Sequence, residues 1–287
     1  MSTYDALVLG GGPAGASAAL YLARAGVNTA IVEKGPGALA KAGLIANYYG
    51  RAATGPELYR LGLKQAQDAG AALITDEALS AEYLGNFSLT LKNSPEPVTC
   101  KALILAAGSV KLAPALSGLA RFTGHGVSYC AVCDGFFFRG KDTAVLGCGA
   151  YALHEAQYLQ QLARSVTLLA NGEKVPADAS AFATIETPLR ALEGEKTLSR
   201  ILFADGSTLN VDGLFIALGS AGSTDLARRL GARLNGPYIA VDEACATNVP
   251  GLFAAGDCTG GLLQIVKAVH EGAVAALAAA RYLRAQK

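Results

Sequence analysis

Tyr4-Asp5-Ala6-Leu7-Val8-Leu9-Gly10-Gly11-Gly12-Pro13-Ala14-Gly15 stands at the head of the chain and decides its architecture. The first six residues are a near-continuous apolar run, the pattern of a strand buried on both faces of a parallel sheet. A glycine turn follows, and Ala16 to Ala25 reads as an alanine-rich helix ended by Gly26. Thr29-Ala30-Ile31-Val32 gives a second strand that closes on Glu33. Strand, Gly-x-Gly-x-x-Gly, helix, strand and acid in that order form the dinucleotide-binding pattern of a βαβ unit. Gly10 allows the turn, Gly12 lets the backbone approach a pyrophosphate, and Gly15 lets helix and strand pack closely. With Pro13 and Ala14 they form a cradle at a helix N-terminus, where free N–H groups and the dipole favour an anion. Glu33, 18 residues after Gly15, is placed to accept hydrogen bonds from a ribose.

The same order returns in mid-chain. Thr143-Ala144-Val145-Leu146 reads as a strand, Gly147-Cys148-Gly149-Ala150-Tyr151-Ala152 as a degenerate Gly-x-Gly-x-x-Ala turn, Leu153–Leu162 as a helix and Ser165–Leu169 as the next strand. This internal repeat predicts an α/β fold with two Rossmann-like nucleotide-binding domains of the three-layer ββα type, the second inserted into the first. The expected division is residues 1–113 plus 243–287 for the first domain and 114–242 for the second. Residues 34–100 say less: a helix is expected at Pro56–Gly70 and a small antiparallel sheet around Phe87–Leu91. Lys101 to Gly108 reads as another buried strand, ending in Ala106-Ala107-Gly108, small residues suited to a backbone lying against a ligand. Pro114–Gly118 and Gly236–Glu243 read as linkers and hinges, and Asp212–Gly219 is expected to return the chain to the first domain. Thr247 to Asp257 reads as a strand ending on an acid, before a long helix at about Gln264–Gln286.

Between the repeats lies Ser128-Tyr129-Cys130-Ala131-Val132-Cys133-Asp134-Gly135. Two cysteines two residues apart, followed at once by a carboxylate, have the spacing of redox-active dithiols. The remaining cysteines (Cys100, Cys148, Cys245, Cys258) are single and the three histidines form no H-x₃₋₅-H pair, so no metal site is expected. Two buried cysteines acting as small hydrophobes are the plain alternative. The bulk of the chain narrows the setting. At 287 residues and 52% apolar it can build two cores, and 34 glycines imply many tight turns. A net charge of +1 argues against nucleic acid or an anionic membrane as the main partner. No long apolar run and no signal-peptide pattern are present, so the chain reads as soluble and cytoplasmic.

Taken together, Gly10–Gly15 with Glu33, the segment Gly126 to Gly135 and Gly251–Asp257 resemble the low-molecular-weight thioredoxin reductases, and the likeness covers essentially the whole chain. The resemblance implies a flavoprotein oxidoreductase, a homodimer with FAD held by the first and last segments, and a thioredoxin-like protein as substrate. It places Gly10, Gly12, Pro13, Ala14, Gly15, Glu33, Ala107, Gly108 and Gly256 around the cofactor and Asp257 on its ribityl chain. Gln264, with Ile265 beside it, would lie close to the flavin ring. Asn47, in Ile45-Ala46-Asn47-Tyr48-Tyr49-Gly50, stands where the family has a flavin-contacting Asn-Tyr-Pro-Gly. Cys133 would face the flavin, Cys130 would exchange with the partner disulfide, and Asp134 would protonate the leaving thiolate.

The chain departs from the family at the second nucleotide site. Where NADPH-dependent members carry a His-Arg-Arg run and a further arginine for the 2′-phosphate, this chain has Ala170-Asn171-Gly172-Glu173-Lys174-Val175-Pro176. A dianionic phosphate without arginine loses its bidentate, charge-assisted partners. Cys148 and the bulky Tyr151 also alter the turn. These departures resemble the branch that is independent of pyridine nucleotides. Ferredoxin is the expected donor, and the alternatives are an NAD(P)H-dependent reductase, a second flavin in the vacated slot, or a dithiol oxidase using oxygen.

Overall fold

A computed structural model describes residues 2–108, 116–219 and 222–286. The helices, in chain order, are α1 (Pro13–Arg24), α2 (Gly55–Asp68), α3 (Leu119–Phe122), α4 (Ala131–Asp134), α5 (Ala150–Gln160), α6 (Ser223–Arg229) and α7 (Ile265–Ala285). The chain forms two compact units, one of Met1–Val110 with Gly222–Lys287 and one of Lys111–Ala221. Both are mixed α/β and Rossmann-like, as the repeat predicts.

In the first unit, parallel strands run in the order Ala72–Thr75, Thr29–Glu33, Thr3–Leu9, Val98–Leu105, with Leu252–Ala254 pairing the last of these. Phe87–Leu91 and Ala78–Tyr83 continue this sheet in antiparallel fashion. The central Thr29–Glu33 strand is buried at every position, which is why its sequence is apolar without alternation. Fully buried Leu22, Ile31 and Ile104 belong to the core beneath α1 and α7, each contributing about 2 kcal/mol of apolar burial. Helices α1 and α7 approach closely because both carry small residues at their contact. A Cβ on Gly272 would fall 2.1 Å from the Ala14 carbonyl oxygen, and the Ser17 hydroxyl donates to the Val269 carbonyl at 2.8 Å.

The second unit repeats that plan. Its sheet is parallel throughout in the order Ala183–Ile185, Ser165–Leu169, Asp142–Leu146, Gly213–Ile216, Val127–Ser128. A three-stranded antiparallel sheet, Leu189–Glu193, Arg200–Phe203 and Thr208–Asn210, completes it. Phe122, Leu146, Phe203 and Leu214 lie in its core.

Gly213–Ile216 pairs Asp142–Leu146 in register Thr143↔Gly213 as the last strand, in chain order, of the second unit's parallel sheet, and the chain enters the first unit shortly after it, at Gly222. The expected boundary at 242/243 moves back to 221/222. Residues beyond 222 are tied to the first unit through Ser223 Oγ, which accepts from the Ala107 amide at 2.9 Å, and Asn248, which bonds Arg233 and Gly231. Gly236–Glu243, expected as a hinge, therefore lies inside the first unit. The expected linker at Pro114–Gly118 falls partly outside the described residues.

Candidate active site

The glycine turn after the first strand (β1, Thr3–Leu9) is held by contacts that only glycine permits. Gly10 has φ +108°, and a Cβ there would meet the Ala106 carbonyl oxygen at 2.4 Å; one on Gly15 would meet the Gly10 carbonyl oxygen at 1.8 Å. At Gly12, by contrast, a Cβ would meet nothing within 4 Å among the described residues. Pro13 begins α1, no side chain caps it, and its first turn carries no acid. The first amides are thus left for an anion.

Glu33, at the end of the second strand (β2, Thr29–Glu33), is buried. Its Oε2 accepts from the Gly35 amide at 2.6 Å and from the Tyr59 hydroxyl, and its Oε1 accepts from Thr75 Oγ1 at 3.2 Å. One lone pair of Oε1 remains for a further donor such as a ribose hydroxyl. The Tyr59 hydroxyl pKa is raised, first by burial and then by its bond to the Glu33 carboxylate. Tyr59 reaches in from α2 and is not visible in the sequence pattern. A cleft of about 490 Å³ runs from this turn along α1 and α2, lined among others by Gly12, Pro13, Ser17, Tyr48, Tyr59 and Ile265.

Segments distant in sequence meet at the same end of the sheet. Ala107 Cα lies 2.7 Å from where a Gly10 Cβ would stand, and Gly108 has φ +80°. Gly256, at φ +88°, abuts Ala14, whose Cβ would be 2.9 Å from its own. Asp257 follows at the start of a short 3₁₀ turn. Two side chains of α7 hold this loop. The Gly256 amide donates to Glu271 Oε2 at 2.8 Å, while Lys267 Nζ donates to the Gly256 carbonyl at 2.7 Å and pairs Glu271 at 2.9 Å. Asn47 Nδ2 donates to Gln264 Oε1 at 3.0 Å, with Ile265 starting α7 beside it. Every residue read from the sequence as cofactor-binding therefore lies in the first unit around the turn, the Gly256 loop or the start of α7.

In the second unit Cys130 and Cys133 form a disulfide, with Cα atoms 5.3 Å apart. Cys130 is the N-cap of α4, and its sulfur accepts from the Cys133 amide at 3.1 Å. Cys130 is 3% exposed, whereas Cys133 lies at the surface. Asp134 precedes the 3₁₀ turn Gly135–Phe138 as its N-cap residue but makes no capping bond through its side chain; its Oδ2 accepts from the Ser128 hydroxyl at 2.6 Å, and Ser128 Oγ also accepts from the Cys130 amide at 3.1 Å. The serine thus ties the Asp134 carboxylate to the backbone of Cys130. Beyond it Phe136 and Phe137 are exposed, and the Arg139 guanidinium sits 5.8 Å from the Phe136 ring centre. The other cysteines are poor reactants, Cys100 and Cys258 being pushed up to about 12 by burial.

The second glycine turn keeps the shape of the first but not its chemistry. Gly147 has φ +133° and a Cβ there would meet the Ala217 carbonyl oxygen at 2.3 Å. Cys148 Sγ lies 3.6 Å from Glu173 Oε2, and Tyr151 is 1% exposed in the first turn of α5. Burial, then Glu173, then the Glu186 charge raise the Cys148 thiol pKa. The carboxylates of Glu173 and Glu186 thus bear on Cys148 at a turn where a phosphate would need cations. Among the described residues no cluster of His, Cys, Asp and Glu could hold a metal ion, and no helix is long and apolar enough to cross a membrane.

A glycine turn suited to a nucleotide in one unit, and a Cys-x-x-Cys disulfide followed by a carboxylate in the other, define the class of an oxidoreductase that works between a nucleotide cofactor and a disulfide. The model for the pyridine nucleotide-disulphide oxidoreductases matches residues 4–272, and the chain belongs to that family. It is 32% identical over 310 residues to a thioredoxin reductase of Peptoclostridium acidaminophilum, covering 99% of this chain and 98% of that one. It is similar to the crystal structure of the atypical thioredoxin reductase TRi from Desulfovibrio vulgaris Hildenborough, with 40% identity, a TM-score of 0.92 and 99% of each chain covered. It is also similar to a ferredoxin-flavin thioredoxin reductase from Clostridium acetobutylicum, with 29% identity, a TM-score of 0.77 and 99% of each chain covered. The family implies FAD. The open face at Gly12, the uncapped first turn of α1 and the spare lone pair of Glu33 fit that group.

Proposed function

We propose that this enzyme reduces the disulfide of a thioredoxin-like protein through Cys130 and Cys133, taking its electrons from a ferredoxin-like protein rather than from NADPH. The observation that carries the first half is the Cys130–Cys133 disulfide at the start of α4, with Asp134 held by Ser128 alongside it. The exposed Phe136, Phe137 and Arg139 beside it suit a protein partner better than a small thiol. The second half is supported by the Glu173–Cys148 contact and by the missing arginines.

FAD, when bound in the first unit, supplies a two-electron carrier that can be filled singly or in pairs. Gly10, Gly12, Pro13, Ala14, Gly15, Ala107 and Gly108 would hold its phosphates and backbone-facing parts, and Glu33 its ribose. Asp257 would hold the ribityl chain, and Asn47, Gln264 and Ile265 the ring. Two electrons open the Cys130–Cys133 bond, Cys133 being the sulfur that meets them. The Cys130 thiolate then attacks one sulfur of the partner disulfide, forming a mixed disulfide and expelling the other sulfur, which Asp134 protonates. Cys133 attacks Cys130 in turn, which restores the enzyme disulfide and frees the second partner thiol. Because Cys130 is buried, its exchange with a partner requires the segment to become accessible. Homodimerisation is part of this reading, supported by exposed Leu262, Leu263, Val266 and Leu277 on the first unit.

The test is anaerobic reduction of the FAD-loaded protein by NADPH, NADH and reduced ferredoxin in parallel. Ferredoxin is expected to bleach the flavin within the mixing experiment, while both nicotinamides leave it oxidised. Rapid bleaching by NADPH would overturn the donor assignment.

A further inference from the structure

Glu155 is the one buried carboxylate beside the redox disulfide among the described residues, and nothing in the reaction above uses it. It lies on α5 at 1% exposure, and its Oε2 accepts from the Ala131 amide at 2.8 Å. Ala131 follows Cys130 directly and is fully buried. The carboxylate therefore touches the peptide unit next to the buried sulfur, whereas Asp134 lies half-exposed at the other end of α4. An acid so deep is badly placed to exchange protons with solvent, so a proton-delivery role falls to Asp134. A charge held there acts on its neighbour through a medium that screens it weakly. The other titratable groups on the elements packed at this point are Cys133 and Asp134 on α4, Tyr151, His154 and Tyr158 on α5, and Asp142 on the adjoining strand, the last paired with Arg164.

We propose that Glu155 is a positioning and tuning residue: it fixes the start of α4 through the Ala131 amide, and its negative charge keeps the reduced Cys130 basic and the dithiol strongly reducing. Two-electron reduction converts the neutral disulfide into two sulfurs that hold negative charge until they take up protons. A carboxylate alongside disfavours that charge, so it raises the thiol pKa of Cys130 and shifts the couple toward the disulfide. The product is a more basic and hence more nucleophilic thiolate once formed, and a couple that gives its electrons away readily.

This inference rests on the reading that Cys130 and Cys133 cycle during turnover. The experiment keeps the two apart. The FAD-loaded wild type and Glu155→Gln are equilibrated with graded dithiothreitol buffers, and the fraction of open Cys130–Cys133 is read by thiol labelling. In a Cys133→Ser background the same substitution is followed by thiolate ultraviolet absorbance against pH. Glutamine keeps an acceptor for the Ala131 amide, so that bond can survive the loss of charge. At a pH above the Cys130 titration midpoint, where the reduced form carries the thiolate, removing the charge is expected to favour the open form about tenfold, or roughly 30 mV for a two-electron couple, and it is expected to lower that midpoint by about one pH unit. Glu155→Asp, which keeps the charge, is expected to stay close to wild type in both. Unchanged values in a folded Glu155→Gln protein would overturn the proposal, as would Glu155→Asp behaving like glutamine. A wild-type disulfide that opens and closes with the flavin while Glu155→Gln changes nothing would defeat this inference alone. A disulfide that never exchanges electrons with the flavin would defeat the proposed function instead.

Discussion

Asp134 and Glu155 are both carboxylates at the Cys130–Cys133 turn, and burial sets them apart. Asp134 is half-exposed and bonded to the Ser128 hydroxyl, which suits a group that must gain and lose a proton in every cycle. Asp134→Asn is therefore expected to lower turnover with the protein disulfide by about 100-fold, while reduction of the flavin keeps its rate. Stopped-flow measurement of the two half-reactions checks this, and an equal loss in both would contradict the assignment. The sequence shows Asp134 because it is adjacent to Cys133. It does not show Ser128 or Tyr59 as partners, because their bonds depend on how a turn or a second helix folds over the site. Glu155 left a readable trace: it falls on the Tyr151, Ala152, Glu155, Ala156, Leu159 stripe of α5, a charge on a face whose spacing marks it as buried.

At the scale of elements, the strands and helices that carry a clear apolar pattern were legible almost to the residue, as Ser165–Leu169 and the alternating Phe87–Leu91 show. The two-residue strand Val127–Ser128 was not, since two residues give no period to read. Gly213–Ile216, within the stretch read as returning the chain to the first domain, is buried at all four positions in the second unit's parallel sheet, the last strand of that sheet before the chain enters the first unit. Pattern reports burial, not which sheet supplies it. One element junction makes a pH prediction. Asp142, at the start of its strand, is held at a pKa of about 2, below the usual 3.8, first by its hydrogen bond from Arg164 and then by that from Ser165. A depressed carboxylate stabilises the fold above its unfolded pKa, and that contribution is lost as pH falls toward the folded value. Thermal unfolding of Asp142→Asn should accordingly fall below wild type at neutral pH, with the gap closing toward about pH 2. A gap that widens on acidification would contradict the pairing.

Across the molecule, the internal repeat was legible because both glycine turns sit between a strand and a helix, and the two units do share the order of their four parallel core strands. The return boundary was misplaced by some twenty residues, because hydrogen bonds from Ser223 and Asn248, and not composition, decide where residues 222–242 belong. In the function proposed, electrons leave the flavin for a protein disulfide through Cys130 and Cys133. The most direct measurement is a single turnover in which the FAD-loaded enzyme, photoreduced without oxygen, is mixed with oxidised thioredoxin. Flavin absorbance should return as two thioredoxin thiols appear for each flavin, and Cys130→Ser should abolish the transfer. A wild-type flavin that stays reduced, or a Cys130→Ser protein that reoxidises as fast as wild type, would contradict it.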